Sequence, residues 1–419
     1  MDKTYLRGLA YMVPAVVAVQ GAAYLLQLTT AALLGPAEFG VVRSVDAVLG
    51  LFVIIGSIGM PSLAVRCAAE IDNIDARGRL LARLLLIASC WGLVVSSGVY
   101  ALASRLTDAN AVPYLRRLVW VILIAACART TLNYYQGSHE IRRYSVLSAS
   151  VACGVLPLSL VAVSIGGLTG WIWARYGAEA VALAAALLPL AGVLRVGRLP
   201  STYSPWRLAG VGSVLSMSLL VRTSLDNLGT LALVAVGAPM PQIGYYGIGV
   251  LVVLALLILP ACIGSLALPR FVLDLGNPAA LRATFYRAAR LCLAMTLPIS
   301  ILGIATLPLV IRVLFPAYGS SVPVIQALLV TVPARALTMM SGTLLVALDQ
   351  GDSTLVANVL MLSVGAVLML SFAPTFGIVG AAWATVGVEV ASVLVYGVLA
   401  KRGLSDRRVW TRGSIPGRW

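Results

Sequence analysis

Long apolar stretches, each able to cross a lipid bilayer as a helix of roughly 20 residues, determine what this chain can fold into. The chain is 60% hydrophobic and only 11% charged, which is too little charge for a water-soluble surface. The apolar residues form unbroken runs without alternation, so the runs predict helices and not barrel strands. We therefore predict an all-α integral membrane protein with twelve transmembrane helices, at about residues 8–34, 41–65, 80–104, 115–137, 144–165, 168–194, 208–236, 244–269, 288–313, 323–348, 353–373 and 377–400.

A thirteen-residue pattern occurs twice in the chain, at positions that are 210 residues apart. Tryptophan and glutamate are rare here, so the recurrence of both in one short window indicates an internal duplication. The first copy comprises Gly167, Gly170, Trp173, Ala174, Gly177 and Glu179, and the second comprises Gly377, Gly380, Trp383, Ala384, Gly387 and Glu389. A further match relates Gly40 and Arg66 to Gly244 and Arg270.

The duplication predicts two six-helix lobes over residues 1–200 and 201–401, followed by a basic cytoplasmic tail over residues 402–419. Because six is an even number, both lobes enter the membrane from the same side, which makes the repeats parallel. Parallel repeats of this kind occur in transporters that expose a central cavity between the lobes to each side in turn. The sequence thus predicts alternating access around an inter-lobe cavity.

The basic residues indicate topology. The net charge of +15 could suggest a nucleic-acid partner, but arginines and lysines concentrate at alternate ends of the predicted helices. That bias follows the positive-inside rule and predicts that both termini are cytoplasmic, with the tail resting on anionic headgroups. His139 falls in a predicted cytoplasmic loop, and the six cysteines show no paired spacing, so neither disulfides nor a metal site are indicated.

The predicted external loops are short, and no soluble domain is inserted between helices. A membrane glycan polymerase or glycosyltransferase needs an extramembrane region that carries catalytic acids and bases. A phosphate-binding glycine-rich loop with lysine is missing too, so ATP hydrolysis by this chain is not indicated. We predict a protein that is not an enzyme, needs no cofactor and, if it is driven, uses an H⁺ or Na⁺ gradient.

Charged residues inside apolar helices are costly, so each requires an explanation. In the seventh stretch, Ser218, Arg222 and Asp226 are spaced by four and predict a polar stripe that faces a cavity. The corresponding first stretch carries Gln20 and Tyr24 at the same spacing. Alternatively, Arg222 and Asp226 neutralise each other as a structural pair.

Two more arginines are predicted at membrane depth. Arg335 has no acidic neighbour at helical spacing along its own helix and is our strongest candidate for a substrate contact. Arg129 is a second candidate, although its side chain could also extend to the cytoplasmic surface.

Four other polar residues are candidates for ion coupling: Asp226, Asp46, Glu389 and Asn358. Asp226, Asn358 and Thr385 could converge as oxygen ligands for a small cation. For the repeated glutamates Glu179 and Glu389, however, a structural role in bonding neighbouring helices is favoured, and the two glycines at the start of each repeat are interpreted as a close-packing face.

Several short motifs resemble the polysaccharide repeat-unit flippases, the O-antigen translocases of the multidrug/oligosaccharidyl-lipid/polysaccharide (MOP) exporter superfamily. The motifs are Leu-Gly-Pro-Ala-Glu-Phe-Gly at 34–40 with Asp46 and Gly50, Leu-Phe-Pro-Ala-Tyr at 314–318, and Phe-Gly-Ile-Val-Gly-Ala-Ala-Trp-Ala-Thr at 376–385. The resemblance runs through nearly the whole chain. The chain departs from the family in two features: it has only two lysines, and its tail has no recognisable counterpart.

The resemblance implies that the chain moves an undecaprenyl-diphosphate-linked oligosaccharide, as in lipopolysaccharide synthesis, across the bacterial inner membrane. It also implies a polysaccharide polymerase machinery as a partner, with the bilayer around the protein. Family members are thought to hold the diphosphate-sugar head in a cationic cavity, for which Arg222, Arg335 and Arg129 are the matching residues here. Guanidinium groups suit that task because they bind phosphate oxygens in bidentate fashion.

The main alternative is a multidrug and toxin antiporter of the same superfamily, which exports organic cations. Cation export requires carboxylates and aromatic rings in the cavity. The fourth, seventh and tenth stretches supply Arg129, Arg222 and Arg335 against Asp226 alone, which favours an anionic substrate. The lipid II flippases usually have two additional helices, and a non-transporting scaffold would not need arginines at mid-membrane.

Overall fold

The computed structural model describes residues 3–71, 73–138, 140–192, 194 and 203–405, with side chains from residue 14 onward. His139, most of the linker between the predicted lobes and the tail from residue 406 lie outside the described residues. Within the described ranges the chain is mainly helical, without strands, and short 3-10 turns join some of the helices. This confirms the predicted all-α class.

Thirteen α-helices are found in the described part of the chain. They are α1 (Lys3–Ser57), α2 (Met60–Glu70), α3 (Ile74–Leu106), α4 (Val112–Leu118), α5 (Val121–Gly137), α6 (Ile141–Leu187), α7 (Pro205–Ala235), α8 (Met240–Leu256), α9 (Ile258–Leu273), α10 (Pro278–Leu314), α11 (Val322–Leu329), α12 (Thr331–Ala347) and α13 (Gly351–Ser405).

Seven helical segments of the described chain are long and apolar enough to cross a membrane. An eighth is the bent pair Pro316–Leu329 and Thr331–Ala347, whose two parts meet at 41°. Three of the seven segments have 50 or more residues, far beyond the roughly 20 that one crossing requires. Each of these three contains a glycine with non-helical backbone angles, at Gly35, Gly167 or Gly377. The breaks separate the predicted helices 1 and 2, 5 and 6, and 11 and 12.

The repeated glycines form two equivalent hairpins. Gly167 has φ 55° and Gly377 has φ 60°, a left-handed conformation that glycine adopts without strain. A Cβ at Gly170 would overlap the carbonyl oxygen of Ala162, and a Cβ at Gly380 would overlap that of Phe372. The two helical arms therefore pack backbone to backbone at Gly170 and Gly380, which confirms close packing for the second glycine of each pair, whereas the first glycine provides the turn.

The chain also reverses at Gly35. Nη1 of Arg43 donates to Oε1 of Gln27 at 3.1 Å, although sixteen residues of straight helix would separate the two by roughly 24 Å. Arg43 is buried in this hairpin, with 7% of its surface exposed. Folding back at Gly35 places the side chain beside the preceding helix.

Asparagine caps start corresponding helices in the two halves. The Asn73 side chain accepts from the backbone N–H of Asp75 and Ala76 at the start of α3. The Asn277 side chain accepts from two backbone N–H groups at the start of α10 in the same way. Asn73 and Asn277 are 204 residues apart, the distance that relates Gly40 to Gly244. The caps thus extend the duplication to a feature that the sequence patterns had not included.

The chain divides into two compact units, residues 1–224 and residues 225–419, so the boundary falls inside α7. The predicted lobe boundary near residue 200 stays a prediction. A buried core in the first unit includes Leu80, Leu84 and Tyr135, and one in the second includes Phe271 and Met340.

Two facing glycines join α7 to the rest of the first unit. Gly59 has φ 73° and separates α1 from α2. A Cβ at Gly59 would overlap the backbone of Gly212 in α7, and a Cβ at Gly212 would overlap the carbonyl oxygen of Ile58. The backbones therefore touch here, which only residues without side chains permit.

Candidate functional site

A cavity of about 530 Å³ lies within the first unit, among α1, α5 and α6. Most of its wall is apolar and consists of small side chains such as Ala15, Ala22, Ala152, Ala178 and Val155. Polar side chains enter it at seven positions: Gln20, Arg129, Asn133, Tyr144, Ser148, Arg175 and Glu179. A cavity with apolar walls and a few polar groups has the general character of a ligand site.

Arg129 provides the exposed cation of this cavity. It is the ninth residue of α5, its surface is accessible, and it lines the cavity together with Asn133, one helical turn later. Within the described residues its guanidinium forms no hydrogen bond or ion pair, and the nearby charges acting on it are Glu179 and Arg175. Arg129 can thus accept an anion from the cavity without first losing a partner.

Arg175 differs from Arg129 because it has an acidic partner. Its Nε lies 3.6 Å from Oδ1 of Asp46, which comes from α1 after the Gly35 reversal. The Asp46 side chain is 16% exposed and that of Arg175 is 37% exposed. The pair neutralises the second cation of the cavity, and it was not predicted because 129 residues separate the two in sequence.

A second charged cluster lies within the second unit. Nε of Arg335 in α12 lies 3.0 Å from Oε1 of Glu389 in α13. Nη2 of Arg335 also donates to Oδ1 of Asp226 in α7. The side chains of Arg335 and Glu389 are 10% and 14% exposed, and that of Asp226 is 33% exposed. One guanidinium thus faces two carboxylates.

These contacts change the charge balance on which the predicted cationic cavity rested. Arg335 does lack an acidic neighbour along its own helix, but two other helices supply carboxylates to it. The count of three arginines against one aspartate therefore fails, because it omitted Glu389 at Arg335 and Asp46 at the neighbouring Arg175. Sequence spacing finds partners on one helix and misses those on another.

The repeated motif makes related contacts in both units. Arg175 and Thr385 occupy the same position of the motif, one turn before its glutamate. Arg175 reaches Asp46 in α1, and Thr385 shares a 3.0 Å hydrogen bond with Tyr246 in α8. The structural role predicted for Glu389 is supported by its ion pair with Arg335, whereas Glu179 lines the cavity.

The remaining candidates for substrate contact lie in the first unit. Gln20 lines the same cavity as Arg129, while Tyr24, Ser218 and Arg222 are half-buried residues of the first unit that are not part of its wall. Asn133, Tyr144 and Ser148 also line the cavity and were missed. The four-residue spacing from Arg129 to Asn133 could have indicated the first of these three.

The proposed oxygen ligands for a small cation each have a different partner. Oδ1 of the buried Asn358 accepts from the Tyr396 hydroxyl at 2.6 Å, Thr385 bonds to Tyr246, and Asp226 pairs with Arg335. Across the described residues, no group of three or more His, Cys, Asp or Glu side chains could hold a metal ion.

The fold is that of transporters of the MOP superfamily. An inward-facing multidrug resistance MATE family transporter superimposes with a TM-score of 0.73 and 14% identity, over 96% of this chain and 100% of that one. A point mutant of the MATE transporter VcmN of Vibrio cholerae superimposes with a TM-score of 0.66 and 14% identity, over 98% of each chain. A third similar structure is a MOP superfamily transporter from Pyrococcus furiosus, which is described as having a binding pocket of reverse polarity. It superimposes with a TM-score of 0.66 and 13% identity, over 97% of this chain and 96% of that one.

The sequence assigns the chain to a family within this fold. Residues 5–272 match the family described as polysaccharide biosynthesis protein. Since this match covers more than half of the 419 residues, the chain belongs to that family. No curated protein sequence matches the chain. Its several apolar helices make it a multi-pass membrane protein.

Proposed function

We propose that this protein is a flippase that moves a polyprenyl-diphosphate-linked oligosaccharide from the cytoplasmic to the outer leaflet of the bacterial inner membrane. The observation that carries the proposal is Arg129, an exposed guanidinium without a partner among the described residues, in a mainly apolar cavity. A guanidinium in such surroundings binds phosphate oxygens through charge-assisted hydrogen bonds, which strengthen where water is scarce. Membership of the polysaccharide biosynthesis family supports a glycan substrate.

The rest of the cavity suits an amphipathic ligand. Its volume of about 530 Å³ lies in the range of small-molecule sites. Gln20, Asn133, Tyr144 and Ser148 offer hydroxyl and amide groups that can pair with sugar hydroxyls. The small apolar side chains offer no competing charge.

The charge pairs change the order of the candidate contacts. Arg335 is engaged by two carboxylates, so binding a phosphate there requires breaking a buried cluster. Arg129 requires no such step and becomes the first candidate, together with Gln20 in the wall of the same cavity. Arg222, Ser218 and Tyr24 remain proposed contacts.

Further parts of the proposal concern energy, topology and partners. Asp226, Asp46, Glu389 and Asn358 remain the residues proposed for coupling to an H⁺ or Na⁺ gradient. Both termini are proposed to be cytoplasmic, as the distribution of basic residues favours. A polysaccharide polymerase machinery is the proposed recipient of the translocated glycan.

One observation favours a second candidate, an antiporter for organic cations. The cluster in the second unit has two carboxylates for one guanidinium. Carboxylates and aromatic rings are the groups that bind organic cations. The MATE family transporters that share the fold make this the alternative to test.

Deletion of the gene in its host tests the proposed function. We expect lipid-linked repeat units to accumulate on the cytoplasmic leaflet and surface polysaccharide to be lost. Arg129→Ala should fail to restore the polysaccharide, whereas Arg105→Ala, at an exposed arginine at the end of α3, should restore it. Normal surface polysaccharide in the deletion strain, together with new sensitivity to cationic dyes, would instead establish the antiporter.

A further inference from the structure

The duplication places a glutamate and an arginine in corresponding parts of both units. Glu179 and Glu389 are 210 residues apart, and so are the first residues of α5 and α12. Arg129 is the ninth residue of α5 and Arg335 is the fifth of α12. Residues four apart lie on the same face of a helix, so the two arginines project from the same face, one turn apart.

This glutamate–arginine pair has different states in the two units. In the second unit it is closed, because Oε1 of Glu389 lies 3.0 Å from Nε of Arg335. In the first unit both Glu179 and Arg129 line the cavity and act on each other electrostatically. Neither forms a hydrogen bond or an ion pair with another described residue. The first unit thus holds an open form of the arrangement that is closed in the second.

We propose that Glu179 is an internal competitor for Arg129: a ligand anion and the Glu179 carboxylate bind the same guanidinium alternately. This inference rests on the proposed function, since it requires an anionic ligand at Arg129. Glu389 with Arg335 provides an example of such a closed pair in the second unit. Asp46 already pairs with Arg175, so Arg129 is the cation in the cavity that lacks a direct acidic partner in the described chain.

The competition has a consequence for transport. A carrier must release what it binds, and a phosphate held by an arginine in apolar surroundings dissociates slowly. A carboxylate that replaces the phosphate removes the cost of leaving a guanidinium unpaired. Glu179 therefore weakens binding and accelerates release.

Direct binding measurements test the competition. The full-length protein in lipid nanodiscs would be titrated with geranylgeranyl diphosphate by calorimetry, with uncharged geranylgeraniol as the reference ligand. We expect Glu179→Gln to bind the diphosphate at least about fivefold more tightly than the wild type, the size of a typical coupling between two sites. Affinity for geranylgeraniol should not change.

Two further variants locate the effect. In an Arg129→Gln background, Glu179→Gln should bring no gain, because the contested cation is missing. Glu38→Gln, at an exposed glutamate of α1 that does not line the cavity, should leave diphosphate affinity unchanged. Thermal melting of each variant shows whether it is folded.

The outcomes separate this inference from the proposed function. If the wild type binds the diphosphate through Arg129 but Glu179→Gln binds no more tightly, the competition is refuted and the anion site stands. If Glu179→Gln binds more weakly, Glu179 is a ligand contact and the competition is also refuted. If neither the wild type nor Glu179→Gln binds the diphosphate, the anion site and the competition fail together.

Discussion

Glu389 and Arg335 form a buried ion pair, with Oε1 and Nε 3.0 Å apart, that connects the duplicated sequence motif to another helix of its unit. Oδ1 of Asp226 forms an ion pair with another nitrogen of the same guanidinium, Nη2. Because all three groups are at least two-thirds buried, the cluster holds α7, α12 and α13 together within the described part of the second unit. The repeated glutamate thus contributes to structure here, beside the glycines that form the hairpin.

Removal of Arg335 should strongly destabilise the second unit. Arg335→Gln leaves two carboxylates close together without their cation, and breaking a buried ion pair costs about 3–5 kcal/mol. We expect a clear drop in the Tm of the detergent-purified protein, measured by nanoscale fluorimetry. Arg312→Gln, at an exposed position of α10, is the control and should leave the Tm unchanged. An unaltered Tm for Arg335→Gln would show that the cluster does not hold the helices.

The contact between Gly59 and Gly212 should not tolerate a side chain. A Cβ at Gly212 would overlap the carbonyl oxygen of Ile58, whereas a Cβ at Gly210, two residues earlier in α7, meets open space. We expect Gly212→Ala to lower the folded yield and the Tm, and Gly210→Ala to leave both near the wild-type values. Size-exclusion chromatography measures the folded yield, and thermal melting measures the Tm. Equal behaviour of the variants would mean that α7 does not touch the break between α1 and α2.

The Tyr396 hydroxyl should contribute to stability through Asn358. Tyr396→Phe removes the hydroxyl that donates a 2.6 Å hydrogen bond to Oδ1 of Asn358. The buried amide oxygen then loses this donor. Leaving a buried acceptor unsatisfied costs about 1–3 kcal/mol. The expected result is a Tm below that of the wild type, with Tyr286→Phe, at an exposed tyrosine of α10, as the control. If Asn358 instead serves a coupling ion, Na⁺ would raise the Tm of the wild type.

The basic residues predict which side of the membrane each loop occupies. Reporter fusions after Leu106 and Gly319 should indicate the outer side of the membrane, and a fusion after Arg142 should indicate the cytoplasm. The reason is the distribution of basic residues, which are retained on the cytoplasmic side. The activity of alkaline phosphatase fusions and the fluorescence of green fluorescent protein fusions show on which side of the membrane each fusion point lies. A reversal at any of the three positions would contradict the predicted topology.

Much of the fold could be predicted from the chain itself. Apolar length identified the helices, and the repeated glycines indicated close packing, because both are local properties of consecutive residues. Gly167 and Gly377 break their helices where the predicted spans meet. The burial of Arg43 could not be predicted, because it depends on the reversal at Gly35, which brings Gln27 beside it.

The candidate site could be predicted only in part. Arg129 and Gln20 were chosen as polar residues within apolar stretches, and they do line one cavity. Asn133, Tyr144 and Ser148 were missed, because an uncharged polar residue near the end of a helix gives little signal. The partners of Arg335 and Arg175 were missed as well, since they lie on other helices.

The order of residues along the chain was enough to predict an all-helical membrane protein with an internal duplication, because hydrophobicity and repetition are both read directly from that order. The packing of the helices was needed to show that Arg335 and Arg175 have acidic partners, whereas Arg129 has no direct acidic partner among the described residues. Arg335 and Glu389 are 54 positions apart in sequence and 3.0 Å apart in space, whereas Arg129 faces a cavity. The physical reason is that electrostatic interaction depends on distance through space, which helix packing sets and helical periodicity does not reveal.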